Sequence, residues 1–172
     1  MSEIEIAVLD ADAAADAVPQ LAEVLADCVN GGASVNFMLP YSSADAAKFF
    51  HKVIPSITSG ETVLLAARVD GRIVGTVQLG MDTPPNQPHR AEVKKLLVHR
   101  AARGKGVGAA LMARIEAIAR EKGRTLLSLD TASDDARRVY ERRSWQRLGN
   151  IPDYALWPAG GFCDTTIYWK KL

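Results

Sequence analysis

The sequence predicts an α+β fold over a single domain, residues 1–172, with a mixed but mostly antiparallel sheet flanked by helices in the order βααβββαβαββ. Two stretches carry that expectation. Val63 to Val69, the turn Asp70-Gly71 and Ile73 to Leu79 read as a hairpin, because Asp-Gly supplies the positive backbone angles that a two-residue turn demands. Val93 to Ile118 reads as a buried strand, a basic glycine-rich loop and an amphipathic helix, with Val107, Leu111, Ile115 and Ile118 on one helical face. An antiparallel meander that feeds a strand–helix–strand unit mixes both kinds of pairing.

From the start of the chain, Ile4, Ile6 and Val8 alternate with polar or small neighbours as a half-buried strand does. An alanine- and aspartate-rich connector follows. Pro19 is expected to open a helix with the stripe Leu21, Val24, Leu25 and Cys28, closed at Asn30-Gly31-Gly32. Gly31 to Tyr41 is apolar without periodicity, so Phe37, Met38, Leu39 and Tyr41 either pack on the core or wall a substrate pocket. Ser43 is expected to cap a second helix through Phe49, Phe50 and Val53, kinked or restarted by Pro55 and ended by Gly60. After the hairpin, Asp82 to His89 carries three prolines and cannot join a sheet interior. Beyond the glycine loop and its helix, Lys122-Gly123 caps, Leu126 to Asp130 makes a strand, and Ser133-Asp134-Asp135 caps a helix bearing Ala136, Val139 and Tyr140. Trp145 to Leu148 and Thr165 to Trp169 read as closing strands, separated by a loop that holds Tyr154 and Trp157.

Composition narrows the function. At 172 residues the chain buries a core without metal or disulfide staples. Lys plus Arg number 21 against 20 for Asp plus Glu, so the positive excess of a nucleic-acid binder is missing. Cys28 and Cys163 are far apart and match no metal-ligand or redox spacing, which with the acidic, non-signal start points to a reduced cytoplasmic setting. No apolar run approaches membrane-spanning length.

The glycine loop is where ligand chemistry is expected. Gly104, Gly106 and Gly108 let the backbone bend and approach a ligand, the opening turn of a helix offers unpaired N–H groups, and Arg103 and Lys105 add charge. A pyrophosphate is the natural guest. A Walker loop would need a hydroxyl residue after its lysine, whereas Lys105 sits between glycines. A dinucleotide loop is nearer, since Gly104, Gly106 and Ala109 fit Gly-x-Gly-x-x-Gly/Ala with Asp130 at the next strand end. Five residues nevertheless separate its strand from Gly104, and too little α/β alternation follows.

A third pattern fits. Leu96, Leu97 and Val98 followed by Arg103-Gly104-Lys105-Gly106-Val107-Gly108 resembles the Arg/Gln-x-x-Gly-x-Gly/Ala signature of the GNAT family of N-acetyltransferases, and the element order is similar as well. The resemblance implies the GNAT fold, acetyl-CoA as acetyl donor, and an amine as acceptor. It places Leu96 to Val98, Arg103 to Ala109 and Ser133 against the cofactor, with a main-chain amide near Leu97 polarising the acetyl carbonyl. Ser133 stands where the family usually has asparagine, and Ser144-Trp145 where it has Gly-Phe. Gly31 to Val35 with Phe37-Met38, Arg90 to Val93, and Leu129 to Thr131 are similar to a branch that acetylates the amine of a β-lactam toxin. That branch implicates Ser34, Phe37 and Met38 in substrate binding and Glu92 and Asp130 as bases.

The residues allow such a reaction. Attack by an amine needs a base, a donor for the carbonyl oxygen and an acid for the leaving thiolate. Glu92, on a strand among apolar residues, and Asp130, at a strand end, are the candidate bases, directly or through water; their plainer alternatives are an ion pair with Lys94 and a helix cap. Tyr140, at the family's matching position, is the candidate acid, with a core aromatic as the plainer alternative. An acetyl-cysteine route has less support, since neither cysteine adjoins a histidine, a lysine or a helix N-terminus. A coenzyme A or nucleotide sensor is the competing function, and it would need neither Glu92 nor Tyr140. Tyr154, Trp157 and Phe162, with the resemblance, point to a homodimer.

Overall fold

The computed structural model describes residues 3–172. Its elements run β1 (Glu5–Leu9), α1 (Ala11–Asn30), α2 (Ser43–Thr58), β2 (Thr62–Val69), β3 (Arg72–Gly80), β4 (Arg90–Val98), a 3-10 turn (Arg100–Ala102), α3 (Val107–Glu121), β5 (Leu126–Thr131), α4 (Asp134–Arg142), β6 (Gln146–Leu156) and β7 (Phe162–Lys171). The order expected from sequence holds. Seven strands form one sheet in the order β1-β2-β3-β4-β5-β7-β6, antiparallel throughout except for the parallel pair β4–β5. Strand alternation gives each face its own core. Leu65, Val77, Leu79, Ala91, Val93, Leu127 and Leu129 pack against α3 and Tyr140, while Leu64, Ala66 and Leu97 pack against α1 and α2.

The hairpin is as predicted, with Asp70 at φ 49° and Gly71 at φ 76°. Gly75 of β3 has a different reason for being glycine: a Cβ there would stand 2.9 Å from Val107 and 3.1 Å from Leu111, so its absence lets α3 lie close on the sheet.

Four boundaries differ from expectation, each for a physical reason. The alanine-rich connector is itself the first half of α1, started by Asp10, whose carboxylate accepts the Ala13 N–H at 2.8 Å. Pro19 and Pro55 lie inside α1 and α2 rather than opening or breaking them. Both prolines are exposed, as are Ala15 and His51 four residues earlier, so water can satisfy the carbonyls that lose their bonds. The cap of α2 is Ser42, not Ser43, in a reciprocal capping box with Asp45. Finally, β6 runs through Tyr154 instead of ending at Leu148. It is an exposed edge strand with a register shift between Ile151 and Ala155, which tolerates Pro152 and shows no hydrophobic alternation.

Candidate active site

The site begins with a defect in β4. Thr76 of β3 pairs with Leu97 and Gln78 pairs with Lys94, so Lys95 and Leu96 together face the single residue Val77. This is a β-bulge, and Lys95 takes the left-handed angle φ 54° within it. On its other edge β4 pairs with β5 over only three positions, Arg90–Leu126, Ala91–Leu127 and Glu92–Ser128. Past Glu92 the two strands part, and β5 continues with β7 alone.

The glycine loop lies beyond the far end of β4, after the 3-10 turn. That turn is pinned by Asp27 of α1, which accepts the Arg100 backbone N–H at 2.8 Å and its guanidinium at 2.9 and 3.0 Å. Gly104 and Gly106 have φ of 74° and 85°, and a Cβ on either would meet nothing within 4 Å, so space above the loop is open. Gly106 caps α3 with no side-chain partner, and the first ladder bond is Ala110 N–H to the Gly106 carbonyl at 3.0 Å. The amides of Val107, Gly108 and Ala109 therefore lie before that ladder and point to the open side. Gly108 differs from its neighbours: it is helical, and a Cβ would make ordinary contacts with Val139 and Val98. The two cations turn back on the loop. Arg103 donates to the Val98 carbonyl at 3.1 Å and reaches Cys28 at 3.8 Å, and Lys105 donates to the Ala101 carbonyl at 3.0 Å.

On the sheet face opposite α3, a cleft of about 150 Å³ is lined by Glu92, Ser128, Asp130, Tyr154, Thr165 and Ile167, among others. Both sequence-predicted carboxylates meet there. Glu92 is exposed rather than enclosed by its apolar strand neighbours, which face the other way, and it forms no ion pair with Lys94. Asp130 accepts the Thr165 hydroxyl at 2.7 Å, while the cap of α4 is Ser133, which accepts the Ala136 N–H at 3.2 Å. The loop before α2 borders this face. Ser34 donates to the Leu156 carbonyl at 3.1 Å, and Leu39 N–H donates to that of Pro158 at 3.0 Å. Phe37 stacks on Tyr41 and meets Phe49 edge-on, at centroid distances of 4.8 and 5.3 Å, whereas Met38 is 44% exposed. The open alternative for this loop thus divides by residue: Phe37 and Tyr41 pack against the α1–α2 core and Met38 does not.

Tyr140 stands on the other side of the sheet, packed on Tyr168 and Trp145 at 5.7 and 6.0 Å. Burial, then the nearby Asp130 and Tyr168, push its phenol well above the ordinary tyrosine range. Its hydroxyl has no hydrogen-bond partner among the described residues. Leu97 keeps register with Thr76 and is buried, so the interrupted pairing falls on Lys95 and Leu96. A larger cavity, about 330 Å³, opens between the hairpin and the 3-10 turn beside Lys105 and His99, and neither cleft carboxylate lines it.

Sequence reasoning missed Lys95, Thr165 and a buried carboxylate, Glu116. Two consecutive lysines, Lys94-Lys95, between the apolar residues Val93 and Leu96 were the available sign of the bulge, since strict alternation cannot place both. No cluster of residues able to hold a metal occurs among the described residues, and no described helix is long and apolar enough to cross a membrane.

Residues 34–145 match the model of the acetyltransferase (GNAT) family, and the chain belongs to that family. It is an acetyltransferase that uses acetyl-CoA, and the open loop amides and the parted strands suit that donor. Among relatives, an IAA acetyltransferase of Azospirillum brasilense is 32% identical over 105 residues, 60% of this chain and 67% of that protein. An N-acetyltransferase from Staphylococcus aureus superposes with a TM-score of 0.81 at 16% identity, covering 99% of each chain. A Salmonella typhimurium protein described as an acetyltransferase, solved with its cofactor acetyl-CoA, gives a TM-score of 0.78 at 18% identity, over 98% of this chain and 94% of that one. These structures share the fold.

Proposed function

We propose that the chain, acting as one N-acetyltransferase domain, transfers the acetyl group of acetyl-CoA to the amine of a small, amino-acid-like molecule by direct attack in a ternary complex. The segments that resemble the tabtoxin resistance protein motivate a β-lactam toxin of that kind as acceptor. The observation that carries the reading is the parting of β4 from β5 with Glu92 and Asp130 on one side and Tyr140 on the other. The loop amides from Gly104 to Ala109 hold the pyrophosphate, assisted by Arg103 and Lys105 once these swing out, while Leu96 to Val98 and Ser133 flank the rest of the cofactor. Ser34, Phe37 and Met38 bound the acceptor.

The amine nitrogen forms its bond to the acetyl carbon as the carbon–sulfur bond breaks. Glu92 or Asp130 receives the amine proton, directly or through water, a main-chain amide at the bulge beside Leu97 steadies the carbonyl oxygen, and Tyr140 gives its proton to the sulfur. If Glu92 is the base, Glu92→Gln depresses the rate most at low pH, where the amine is almost wholly protonated, and activity partly recovers toward the amine pKa. Asp130→Asn tests the other carboxylate in the same assay of acetyl-dependent thiol release. A Glu92→Gln enzyme with the wild-type pH–rate profile assigns the proton to Asp130 or to solvent.

The reading includes a homodimer. Its support is the free edge of β6 and the turn after it, where Leu148, Tyr154, Leu156, Trp157 and Phe162 are exposed together. A monomer by light scattering at micromolar concentration removes this part.

A further inference from the structure

Lys95 is a charged group on the acceptor side that acetyl transfer leaves without a task. Its backbone is held at φ 54°, an angle a lysine keeps only where the surrounding structure fixes it. Its ammonium lies 6.0 Å from the ring centroid of Phe37 and 5.9 Å from that of Phe49. Two phenyl rings attract the charge but accept none of its three N–H bonds well, and among the described residues Lys95 makes no hydrogen bond or ion pair. The bulge puts it on the same sheet face as Glu92 and Asp130, since Phe37 and Phe49 belong to the α1–α2 layer. Burial, then Lys94, pull its pKa below the usual lysine range, while Asp130 and Glu92 oppose the fall.

We propose that Lys95 binds a carboxylate of the acceptor, so that the acceptor is an amine that also carries an acid group, most simply an α-amino acid or a compound built on one. This rests on the acetyl-transfer reading of the cleft that holds Glu92 and Asp130, whose charges Lys95 feels from the same sheet face. The charge pattern suits a zwitterion: Glu92 and Asp130 await the ammonium of the acceptor, and Lys95, with the like charge of Lys94 beside it, awaits its carboxylate. A simple monoamine would instead add a further cation beside Lys95 and Lys94 and leave Lys95 unsatisfied. The aromatic floor fixes the position of the ammonium, so Lys95 selects the acceptor and takes no part in the proton transfers.

The test uses the common amino acids, each beside its α-carboxamide, in the assay of acetyl-dependent thiol release. Wild-type protein should favour the acid of its best pair by about 10- to 100-fold in kcat/KM, the range of one charge-assisted hydrogen bond. Lys95→Met should erase that preference while the shift in melting temperature given by acetyl-CoA is retained, and Lys95→Arg should restore part of it. A wild-type enzyme that favours the acid in no pair, or a Lys95→Met protein that keeps the preference, overturns the proposal. Failure of the underlying reading would look different: amino acids and their carboxamides alike would give no thiol release, whatever residue stands at position 95.

Discussion

Tyr140→Phe should lower turnover by about 10²- to 10⁴-fold, the span expected for losing one positioned proton donor, while leaving the affinity for acetyl-CoA within a few fold. Both halves follow from its surroundings. The ring packs between Tyr168 and Trp145, and phenylalanine keeps those contacts. The hydroxyl is bound to no protein group among the described residues, so its removal orphans none of them and disturbs only chemistry that needs it. Burial and the neighbouring Asp130 keep the phenol protonated at neutral pH, and they make the tyrosinate costly enough that it recovers its proton after each turnover. Steady-state kinetics with a thermal-shift measurement on the same preparation separate the two effects. A loss below about threefold would give the acid role to water.

Glu116→Ala should destabilise the protein by about 3–5 kcal/mol, since it removes the acceptor from a buried ionic cluster. Glu116, on α3, is 1% exposed. Its carboxylate accepts Arg143 at 2.9 and 3.1 Å, Lys170 at 2.9 Å and the Trp145 indole N–H at 2.9 Å, which ties α3 to the end of α4 and to β7. Burial pushes the carboxyl up, but the hydrogen bonds from Arg143, Lys170 and Trp145 outweigh it and hold the group below its ordinary value of 4.5. A depressed folded value means that this contribution is complete above about pH 4.5 and fades as acid titrates the folded group. Thermal melts should therefore show wild type and Glu116→Ala far apart at neutral pH and converging in acid. A gap of constant size down to the acid transition would show that packing, not charge, sets the effect. None of the four groups reaches the cleft, so residual folded Glu116→Ala protein should bind acetyl-CoA normally.

The framework was legible in the sequence because its strongest signals are local. Asp70-Gly71, the apolar stripe of α3 and the glycines with positive φ each specify backbone shape within a few residues, and all three stand as expected. What the sequence hid depends on distance or on water. Pro19 and Pro55 read as breaks because the pattern does not say which carbonyls face solvent. The length of β6 was invisible because an exposed edge strand has no buried face to alternate. Among the candidate site residues, Glu92, Asp130 and Tyr140 could be named because the family resemblance falls on their positions, but Lys95 could not. Its place follows from a bulge that puts two β4 residues against one on β3, and from aromatic rings contributed some fifty residues earlier in the chain.

The three-residue contact between β4 and β5 has a consequence for what can occupy the gap beyond it. Main-chain groups on the two facing edges are content while water lies between them, yet each would be orphaned if an apolar side chain moved in. The opening cannot be plugged by ordinary core packing, and it cannot be closed by zipping the strands together while the Lys95 kink keeps β4 bent. Only a visitor that brings its own amide donors and acceptors can fill it without loss. An unfinished ladder is thus a form of selectivity: before any side chain is consulted, the sheet already favours a thin, peptide-like guest over a greasy one.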